Sequence, residues 1–391
     1  MILAFVGIQF FRPEITNPPV TADLDVPVPV KNIVKNSCYN CHSNETQLSW
    51  FDHIVPAIWL VAHDVEEGRK HLNFSDWGKM DPVAQKAAWF DLTNQILNGA
   101  MPLGNYTMVH PSAKISDEQK EILRNYAATL FVPVVEDDAK IDAAQEQYDQ
   151  WIEAAGQTRV VQDSLNGIAF IPDYKNWKVV STTDRSDNGT MRVILGNDVA
   201  IQAIKNEKTN PWPDGTTFAK VAWEKILDDS GVVRTGSFKH VEFMIKDAQK
   251  YKNTDGWGWA RWKGLDLVPY GKDANLAQEC MGCHAPMKNR DFVFTDPTNI
   301  KADHLEWKVI SSFIDPETKT MSTIYGSDAT VAKARAGGFK KKDTERAELS
   351  LMSWAQVPDP RWFGAEIPGE LKTTQKIKVD SSFQLKSSIF P

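Results

Sequence analysis

The amino-acid sequence predicts a multidomain protein: an all-α domain, then an α+β domain with an antiparallel sheet and helices, then a second copy of that α+β domain. Three observations support this fold class. Apolar residues recur at three- and four-residue spacing from Lys35 to about Val132, as in amphipathic helices. From about Ile168 onward, short β-rich runs alternate with turn clusters. Part of this second region then recurs, without a gap, at an offset of 130 residues (307 − 177).

Length and composition are those of a globular protein. The 391 residues allow two or three domains. Apolar residues make up 42% and charged residues 24%, which excludes a disordered chain and a polytopic membrane protein. The net charge is −7 and Lys340–Lys342 is the one basic run, so nucleic acid is not an expected partner.

The chain begins with an apolar segment, Met1–Phe11, which is shorter than the about 20 residues that span a bilayer. We interpret residues 1–12 as the remnant of a signal or membrane anchor, and a short buried segment is the alternative. Five prolines follow within residues 13–33, which predicts an extended tether.

The all-α domain is placed at residues 34–132. Helices are predicted over Ile54–Val65, Ala84–Leu97 and Ser116–Leu130, the last opened by a capping box at Ser116. Residues 133–167 are predicted to be a spacer that contains an acidic helix, roughly Asp137 to Ala155.

The α+β domain is placed at residues 168–298. Strands are predicted at Trp177–Thr182, Thr190–Leu195 and Val241–Ile245. Helical stretches are predicted at Val199–Lys205 and Thr217–Leu227.

The repeat covers the last domain, residues 299–391. Trp177-Lys-Val-Val-Ser181 recurs as Trp307-Lys-Val-Ile-Ser311. Further identities at the same or nearly the same offset pair Met191 with Met321, Gly196 with Gly326, Asp198 with Asp328 and Trp223 with Trp354. These matches in register predict a duplicated unit.

Four cysteines decide the chemistry. Cys38 and Cys41 are followed by His42, and Cys280 and Cys283 are followed by His284. C-x-x-C-H is the attachment motif of c-type haem, in which two thiols bond the macrocycle and the adjacent imidazole is the proximal iron ligand. Alternatives are a four-cysteine zinc site and a pair of redox dithiols. We therefore expect two covalently attached haem c groups and a periplasmic or otherwise extracytoplasmic protein.

The first motif lies in a helical block that resembles a class I cytochrome c. The segments CHSNETQLSWFDHIVPAIWLVAHDVEEGRKHLNFSDW (41–77) and MPLGNYTMVHPSAKIS (101–116) are similar to the haem-binding domain family of periplasmic cytochromes. The resemblance implies that the Met-Pro loop at Met101 supplies the second axial ligand and that this haem transfers electrons. The alternative ligands in the domain are His53, His63, His71, His110 and Met108.

The second motif lies in a region that resembles the cytochrome P-460 family, which includes the cytochromes c-prime-beta. The similar segments are NWKVVSTTDRSDNGTMRVILGNDVAIQAI (176–204), NPWPDGTTFAKVAWEK (210–225), DGWGWARWKG (255–264) and YGKDANLAQECMGCHAPMKNRDFVFT (270–295). The resemblance implies that His284 is the proximal ligand, that the opposite face of the iron is open, and that Lys220 matches a lysine bonded to the haem in hydroxylamine-oxidising members. With Thr217–Leu227 as a helix, Lys220 and Trp223 share a face, and the repeat keeps Trp354 but has Leu351 in place of the lysine.

Other residues are candidates for the second haem pocket, and Trp223 is one of them. Arg192 corresponds to Ser322 in the repeat, so we expect Arg192 to face the haem. The resemblance implies a proton-moving carboxylate, for which Asp273 and Glu279 near Asn275 are candidates. Met287 follows His284 by three residues and is assigned to packing.

These features predict an enzyme that oxidises a small nitrogen compound such as hydroxylamine or NO at the second haem. Electrons then leave through the first haem to an external redox partner. The alternative is a non-catalytic cytochrome of the c-prime-beta type that binds NO or another gas, or that only relays electrons. The haem-less repeat is expected to pack on the haem-bearing domain as an internal pseudo-dimer.

Overall fold

The computed structural model describes residues 2–134, 160–228, 231–274, 276–298, 308–327, 329–331 and 349–377. It divides into two compact units, Met1–Leu130 and Phe131–Pro391, each described here by itself. The predicted acidic helix, Trp307, Asp328 and Asn275 lie outside the described residues.

The N-terminal unit is helical, as predicted. Its helices are α1 (Ile2–Ile8), α2 (Val28–Ser37), α3 (Tyr39–His42), α4 (Ala57–His71), α5 (Pro82–Leu97), α6 (Gly104–Val109) and α7 (Asp117–Ala128). Helix α4 starts three residues later than predicted because Val55-Pro56 precedes it. Ser116 forms the predicted capping box with Gln119 at the start of α7.

Helix α4 packs tightly on the helix that carries the first cysteine motif. A Cβ atom at Gly68 would lie 2.7 Å from the backbone oxygen of Cys41, so only glycine allows this approach. Phe74 and Tyr39, both buried, stack beside it with ring centroids 5.3 Å apart. The short α3 is thus held from the side by α4 and by an aromatic pair.

The N-terminal apolar segment forms α1 and docks on its own unit. The side chain of Gln9 accepts a hydrogen bond from the Val55 N–H at 3.0 Å and donates one to the Val55 carbonyl at 3.2 Å. Within the part of the chain that the structure describes, no helix has the length and apolarity needed to cross a membrane.

The C-terminal unit is β-rich. Its strands are β1 (Lys178–Arg185), β2 (Thr190–Gly196), β3 (Thr217–Leu227), β4 (Val233–Lys246), β5 (Trp257–Lys263), β6 (Val268–Pro269), β7 (Lys308–Asp315), β8 (Thr320–Gly326), β9 (Leu349–Pro358) and β10 (Ala365–Ile377). The order β3-β2-β1-β10-β9-β8-β7-β4 closes through a β3–β4 pairing, which makes an eight-stranded antiparallel barrel, and β5 and β6 extend from β4. Closure leaves these eight strands without a free edge.

Alternate residues of both halves of the barrel fill its interior. The buried interior cluster includes Val193, Trp223, Phe243, Tyr325, Met352 and Trp354. The predicted strands at β1, β2 and β4 are confirmed, and so is the helix at Val199–Lys205, here α8 (Asp198–Lys205).

A second hydrophobic core lies on the outer face of strands β1 to β5. Val180, Ile194, Phe218, Met244 and Trp259 are buried there, against α8 and against α9 (Leu276–His284), which bears the second cysteine motif. The second cysteine motif and the strand side chains therefore meet on the outside of the barrel, not in its interior.

One predicted helix is wrong. Thr217–Leu227 is strand β3, in register with β2 and β4. Its β-branched and aromatic residues and its two hydrogen-bonded neighbours override the helical spacing. Because side chains alternate along a strand, Lys220 lies on the outer face while Trp223 lies in the interior cluster. The predicted shared face of Lys220 and Trp223 is therefore also wrong.

The strands on either side of residue 298 are laid out alike. Strands β1 and β2 occupy 178–185 and 190–196, and β7 and β8 occupy 308–315 and 320–326. The β1–β2 pair has a register shift between Val179 and Ser181, and the β7–β8 pair has one between Val309 and Ser311. Pairings β1–β10 and β4–β7 join the two sets into the single barrel.

Candidate functional site

The first cysteine motif sits on one short helix with its histidine anchored. The N–H groups of Cys41 and His42 donate to the Cys38 carbonyl at 3.1 and 2.9 Å, which winds the motif into a turn. Neither cysteine forms a disulfide bond. The Nδ1–H of His42 donates to the Leu72 carbonyl at 3.1 Å, so Nε2 remains for a metal ion. Burial lowers the pKa of His42, which favours the neutral imidazole that a metal requires.

Met101 lies in the turn after α5, where it is half-buried and its N–H donates to the Gln95 carbonyl at 3.2 Å. Among the alternatives, His53, His63 and His71 are exposed and Met108 is 72% exposed. His110 is engaged elsewhere, because its Nε2 lies 3.0 Å from Oδ1 of Asp52. The role of Met101 as the second axial ligand stays a prediction.

The second motif repeats the histidine anchoring of the first. At the end of α9, the Nδ1–H of His284 donates to the Phe292 carbonyl at 2.7 Å. The rings of Trp259 and Phe294 flank the imidazole, with centroids 5.8 and 5.2 Å away. Burial lowers the pKa of His284 to about 4, so the imidazole is neutral at physiological pH. Both motifs therefore present an oriented, neutral histidine beside two thiols, which is the donor set of a c-type haem.

A buried aspartate holds the loop that supplies the Phe292 carbonyl. Asp291 accepts hydrogen bonds from Lys246 Nζ at 2.7 Å, from Trp257 Nε1 at 3.2 Å and from the Trp212 N–H at 2.8 Å. Asp291 and Phe292 both have positive φ, at 50° and 65°. This ion pair keeps a sharp turn in place, and the turn orients His284.

A row of charged side chains crosses the outer face of the sheet beside α9. Lys220 on β3, Glu242 on β4 and Arg261 on β5 are direct cross-strand neighbours. Glu242 forms ion pairs with Lys220 and with Arg261 Nε, the latter at 2.7 Å, and His240 Nε2 lies 3.1 Å from its carboxylate. We call Lys220, His240, Glu242 and Arg261 the charged row.

In the charged row, Glu242 carries the negative charge and the other three side chains are basic. Burial lowers the pKa of Lys220 to about 8, although the charge of Glu242 raises it. The pKa of Glu242 lies well below its usual value despite burial, because Arg261 and Lys220 stabilise its charge. Burial also lowers the pKa of His240. A neutral lysine amine, which is a nucleophile, is thus accessible near pH 8.

The charged row lies close to the second cysteine motif. Burial raises the pKa of Cys280 to about 11, and the charges of Glu242, Arg261 and Lys220 all act on this thiol. The charges of Lys220 and Glu242 also act on His284. The cysteine motif and the charged row therefore share one site.

Arg192 lies on the same outer face of the barrel. It is buried, and its Nε donates to Thr190 Oγ1 at 3.2 Å. Burial lowers its pKa to about 9, and the charges of Arg185, Asp187 and Glu242 act on it as well. The structure thus brings Arg192 near Glu242, at the site.

The remaining candidates differ in where they lie. Trp223 is inside the barrel, on the face opposite Lys220. Asp273 and Glu279 are exposed, and Glu279 accepts a hydrogen bond from the Tyr270 hydroxyl at 3.2 Å. Met287 is buried, as its assignment to packing requires.

The sequence analysis missed Glu242, His240 and Arg261. The predicted helix at Thr217–Leu227 left these residues without strand β3 as a neighbour, and the pairing of β4 with β3 and with β5 was not predicted. The sequence does contain a signal for them: His240, Glu242 and Met244 are spaced by two residues at the predicted strand Val241–Ile245. This spacing places the three side chains on one face of the sheet.

The residues present fit a haem at the second motif. Trp259 Nε1 is buried beside His284 with no hydrogen-bond partner among the described residues, which suits a bound group that carries acceptor atoms. In the described part of the chain, no three side chains of His, Cys, Asp or Glu converge to hold a metal ion by themselves.

Comparisons with known families agree with this site. Residues 3–129 match the Haem-binding domain family, and residues 171–295 match the cytochrome P460 family. A search of curated proteins finds no match to the chain. The chain is therefore similar to haem-binding families over two separate parts of its length, residues 3–129 and 171–295, and these matches support a haem protein.

Proposed function

We propose that the chain is a dihaem c-type cytochrome that oxidises a small nitrogen compound such as hydroxylamine or NO. One haem is bonded to Cys38 and Cys41 with His42 and Met101 as axial ligands. The other is bonded to Cys280 and Cys283 with His284 as its one protein ligand. When bound, the second haem supplies a redox-active iron with a free coordination position.

The observation that carries this proposal is the charged row beside Cys280 and His284. His284 is neutral and is oriented by the Phe292 carbonyl, so it is ready to hold iron. Arg261 and Arg192 provide hydrogen-bond donors for a polar substrate or a carboxylate. Glu242 stays ionised because Arg261 and Lys220 stabilise its charge, so it is a weak base. His240, whose pKa burial lowers and which is therefore neutral, would accept a proton released on this face.

Two different irons in one chain suit a division of labour. A thioether ligand at Met101 closes the first iron to substrates and raises its potential, which suits electron transfer to an external redox partner. The second iron keeps an open face for the substrate. Haem c attachment further supports a periplasmic or extracytoplasmic location, with the apolar N-terminal segment as a membrane tether.

The C-terminal half of the barrel, strands β7 to β10, is proposed to be a haem-less copy of the P460 domain. The matching strand limits and the matching register shifts of β1–β2 and β7–β8 support a duplication. The two copies then form an internal pseudo-dimer whose strands close one barrel.

The test begins with the intact mass of protein matured with haem. We expect the polypeptide plus two haems, and a mass with one haem or none contradicts the dihaem proposal. Hydroxylamine added anaerobically to the oxidised protein should then reduce the first haem. Haem reduction should be lost in the double variant Cys280→Ser, Cys283→Ser.

A second candidate function is gas binding of the c-prime-beta type without turnover. The ion pair of Lys220 with Glu242 favours it, because an ammonium held by a carboxylate is not free to bond the macrocycle. A red-shifted Soret band that disappears in Lys220→Leu supports the enzyme. An ordinary c-type spectrum that does not change in Lys220→Leu supports gas binding. Lys239→Leu, an exposed lysine of β4, is the matched control.

A further inference from the structure

The turn between β9 and β10, residues Asp359–Gly364, is fastened to the first half of the barrel. The N–H of Ser186, in the turn between β1 and β2, donates to the Gly364 carbonyl at 2.8 Å. Gly364 has φ of 90°, and a Cβ atom there would lie 2.9 Å from the Cβ of Asp187. Only glycine allows the two turns to approach so closely.

The same turn also reaches the segment that follows the second cysteine motif. Arg361 Nη1 donates to Asp296 Oδ2 at 2.6 Å, and Arg361 Nε donates to Asp359 Oδ1 at 2.7 Å. Arg361 is buried, so this contact is part of the packed structure. The β9–β10 turn is therefore held at two points, by the β1–β2 turn and by the chain after His284.

Two aromatic rings connect the turn to the proximal histidine. His284 packs edge-on against Phe294, with centroids 5.2 Å apart, and Phe294 packs edge-on against Trp362, with centroids 5.8 Å apart. Trp362 comes from the half of the barrel that lies beyond the residues matched by the P460 family. A side chain of the C-terminal half thus stands behind the ring that flanks the iron ligand.

An ion pair fixes the indole of Trp362. Its Nε1 donates to Asp187 Oδ2 at 3.2 Å, and the Arg185 guanidinium lies 4.6 Å from its ring centroid. Arg185 Nε donates to Asp187 Oδ1 at 2.7 Å. The indole therefore has one orientation beside the site.

We infer that the β9–β10 turn of the C-terminal half completes the haem site at His284, with Trp362 as a positioning residue that holds Phe294 against the imidazole. This inference rests on the proposed haem at Cys280 and Cys283. It gives the C-terminal half a task at the site: Trp362 restrains the iron ligand and shields it from water. Water that reaches a haem stabilises the ferric charge and lowers the reduction potential.

The experiment compares Trp362→Ala, Trp362→Phe and the control Glu317→Ala in full-length protein matured with haem. Glu317 is exposed in the turn between β7 and β8 of the same half. For Trp362→Ala we expect two haems by mass, a lower potential of the second haem, and a lower iron–histidine stretching frequency in its ferrous form. Trp362→Phe should restore most of both values, and Glu317→Ala should match the unmutated protein.

A second variant keeps the test decisive if Trp362→Ala does not fold. Phe294→Leu removes the middle ring and should shift the potential and the iron–histidine frequency in the same direction. Unchanged values in either correctly folded, dihaem variant overturn the inference. If the unmutated protein carries no haem at Cys280 and Cys283, the proposed function fails instead, so the two failures are distinguishable.

Discussion

At the scale of single residues, Glu242 decides the character of the site. It is the one carboxylate in the charged row, and it faces Lys220, Arg261 and His240 from the middle strand. The partly buried cations Lys220 and Arg261, on the two flanking strands, repel each other unless an anion lies between them. The identity of this one side chain therefore sets both the stability of the face and the protonation of its bases.

Replacing Glu242 by Gln should destabilise the C-terminal unit by about 3 kcal/mol, because the cations lose their counter-charge in a partly buried place. The matched control is Glu224→Gln, which removes an exposed ion pair with Lys239 between the same two strands. The control should cost less than about 1 kcal/mol. Urea unfolding followed by circular dichroism measures both, and equal losses contradict the assigned role of Glu242.

The same substitution should make the Lys220 amine easier to deprotonate. Glu242 raises the pKa of Lys220, against the larger effect of burial, so its removal lowers that pKa below about 8. Competitive labelling with an amine reagent, as a function of pH, reports the pKa in the protein before haem attachment. A pKa of Lys220 that is unchanged or higher in Glu242→Gln speaks against the ion pair.

Lys220 also makes stability depend on pH. Its pKa is about 8 in the folded state and 10.5 as an isolated side chain, so between these values the unfolded state binds more protons. Stability from this group therefore rises as pH increases from about 8 toward 10.5. Between pH 8 and 9.5 the free energy of unfolding should rise less steeply in Lys220→Met than in the unmutated protein. Parallel slopes contradict the lowered pKa.

At the scale of elements, the loop after α9 orients His284 through a buried ion pair. Asp291 and Lys246 are both about 9% exposed, and two tryptophans add hydrogen-bond contacts to the pair. Phe292 directly follows Asp291, and its carbonyl accepts the hydrogen bond from His284. A displacement of this loop therefore also displaces His284. Strand β4 and the loop act together as the support of the proximal side.

Asp291→Asn should destabilise the C-terminal unit by about 3 kcal/mol, since Lys246 keeps its charge but loses its anion. Asp255→Asn is the matched control: Asp255 also has positive φ, and its ion pair with Lys288 is exposed and 3.8 Å long. The control should change stability by less than about 1 kcal/mol. Thermal unfolding of the two variants gives the comparison, and similar melting temperatures contradict the support role.

At the scale of the whole molecule, the chain has one cysteine motif in each compact unit. Each haem is therefore expected to mature without the other. The double variant Cys38→Ser, Cys41→Ser should keep one haem by mass and should still bind NO or CO. It should fail to pass electrons to an external acceptor. An active single-haem protein contradicts the proposed relay.

The barrel is also a property of the whole molecule. Four strands before residue 298 and four strands after it close one sheet, and the contacts of the β9–β10 turn with the proximal segment follow from that closure. The C-terminal half thus contributes to the site by position, although it has no cysteine of its own.

The sequence by itself determined the parts of this protein whose chemistry is local. The spacing of Cys280, Cys283 and His284 predicts a haem, because the bonding groups must lie on one turn. The capping box at Ser116 likewise needs only four consecutive residues. The helical character of the N-terminal region follows from apolar spacing within single segments, and it is confirmed.

Only the tertiary structure decided what depends on pairing between distant strands. The state of Thr217–Leu227 was mispredicted because its helical spacing is ambiguous until β2 and β4 pair with it. Glu242 and Arg261 lie beside Lys220 because β4 pairs with β3 and with β5. Trp362 lies beside the site because the strands of both halves close one barrel. The physical reason is that strand pairing is non-local: its partners are chosen by the packing of the whole sheet, which no short stretch of sequence encodes.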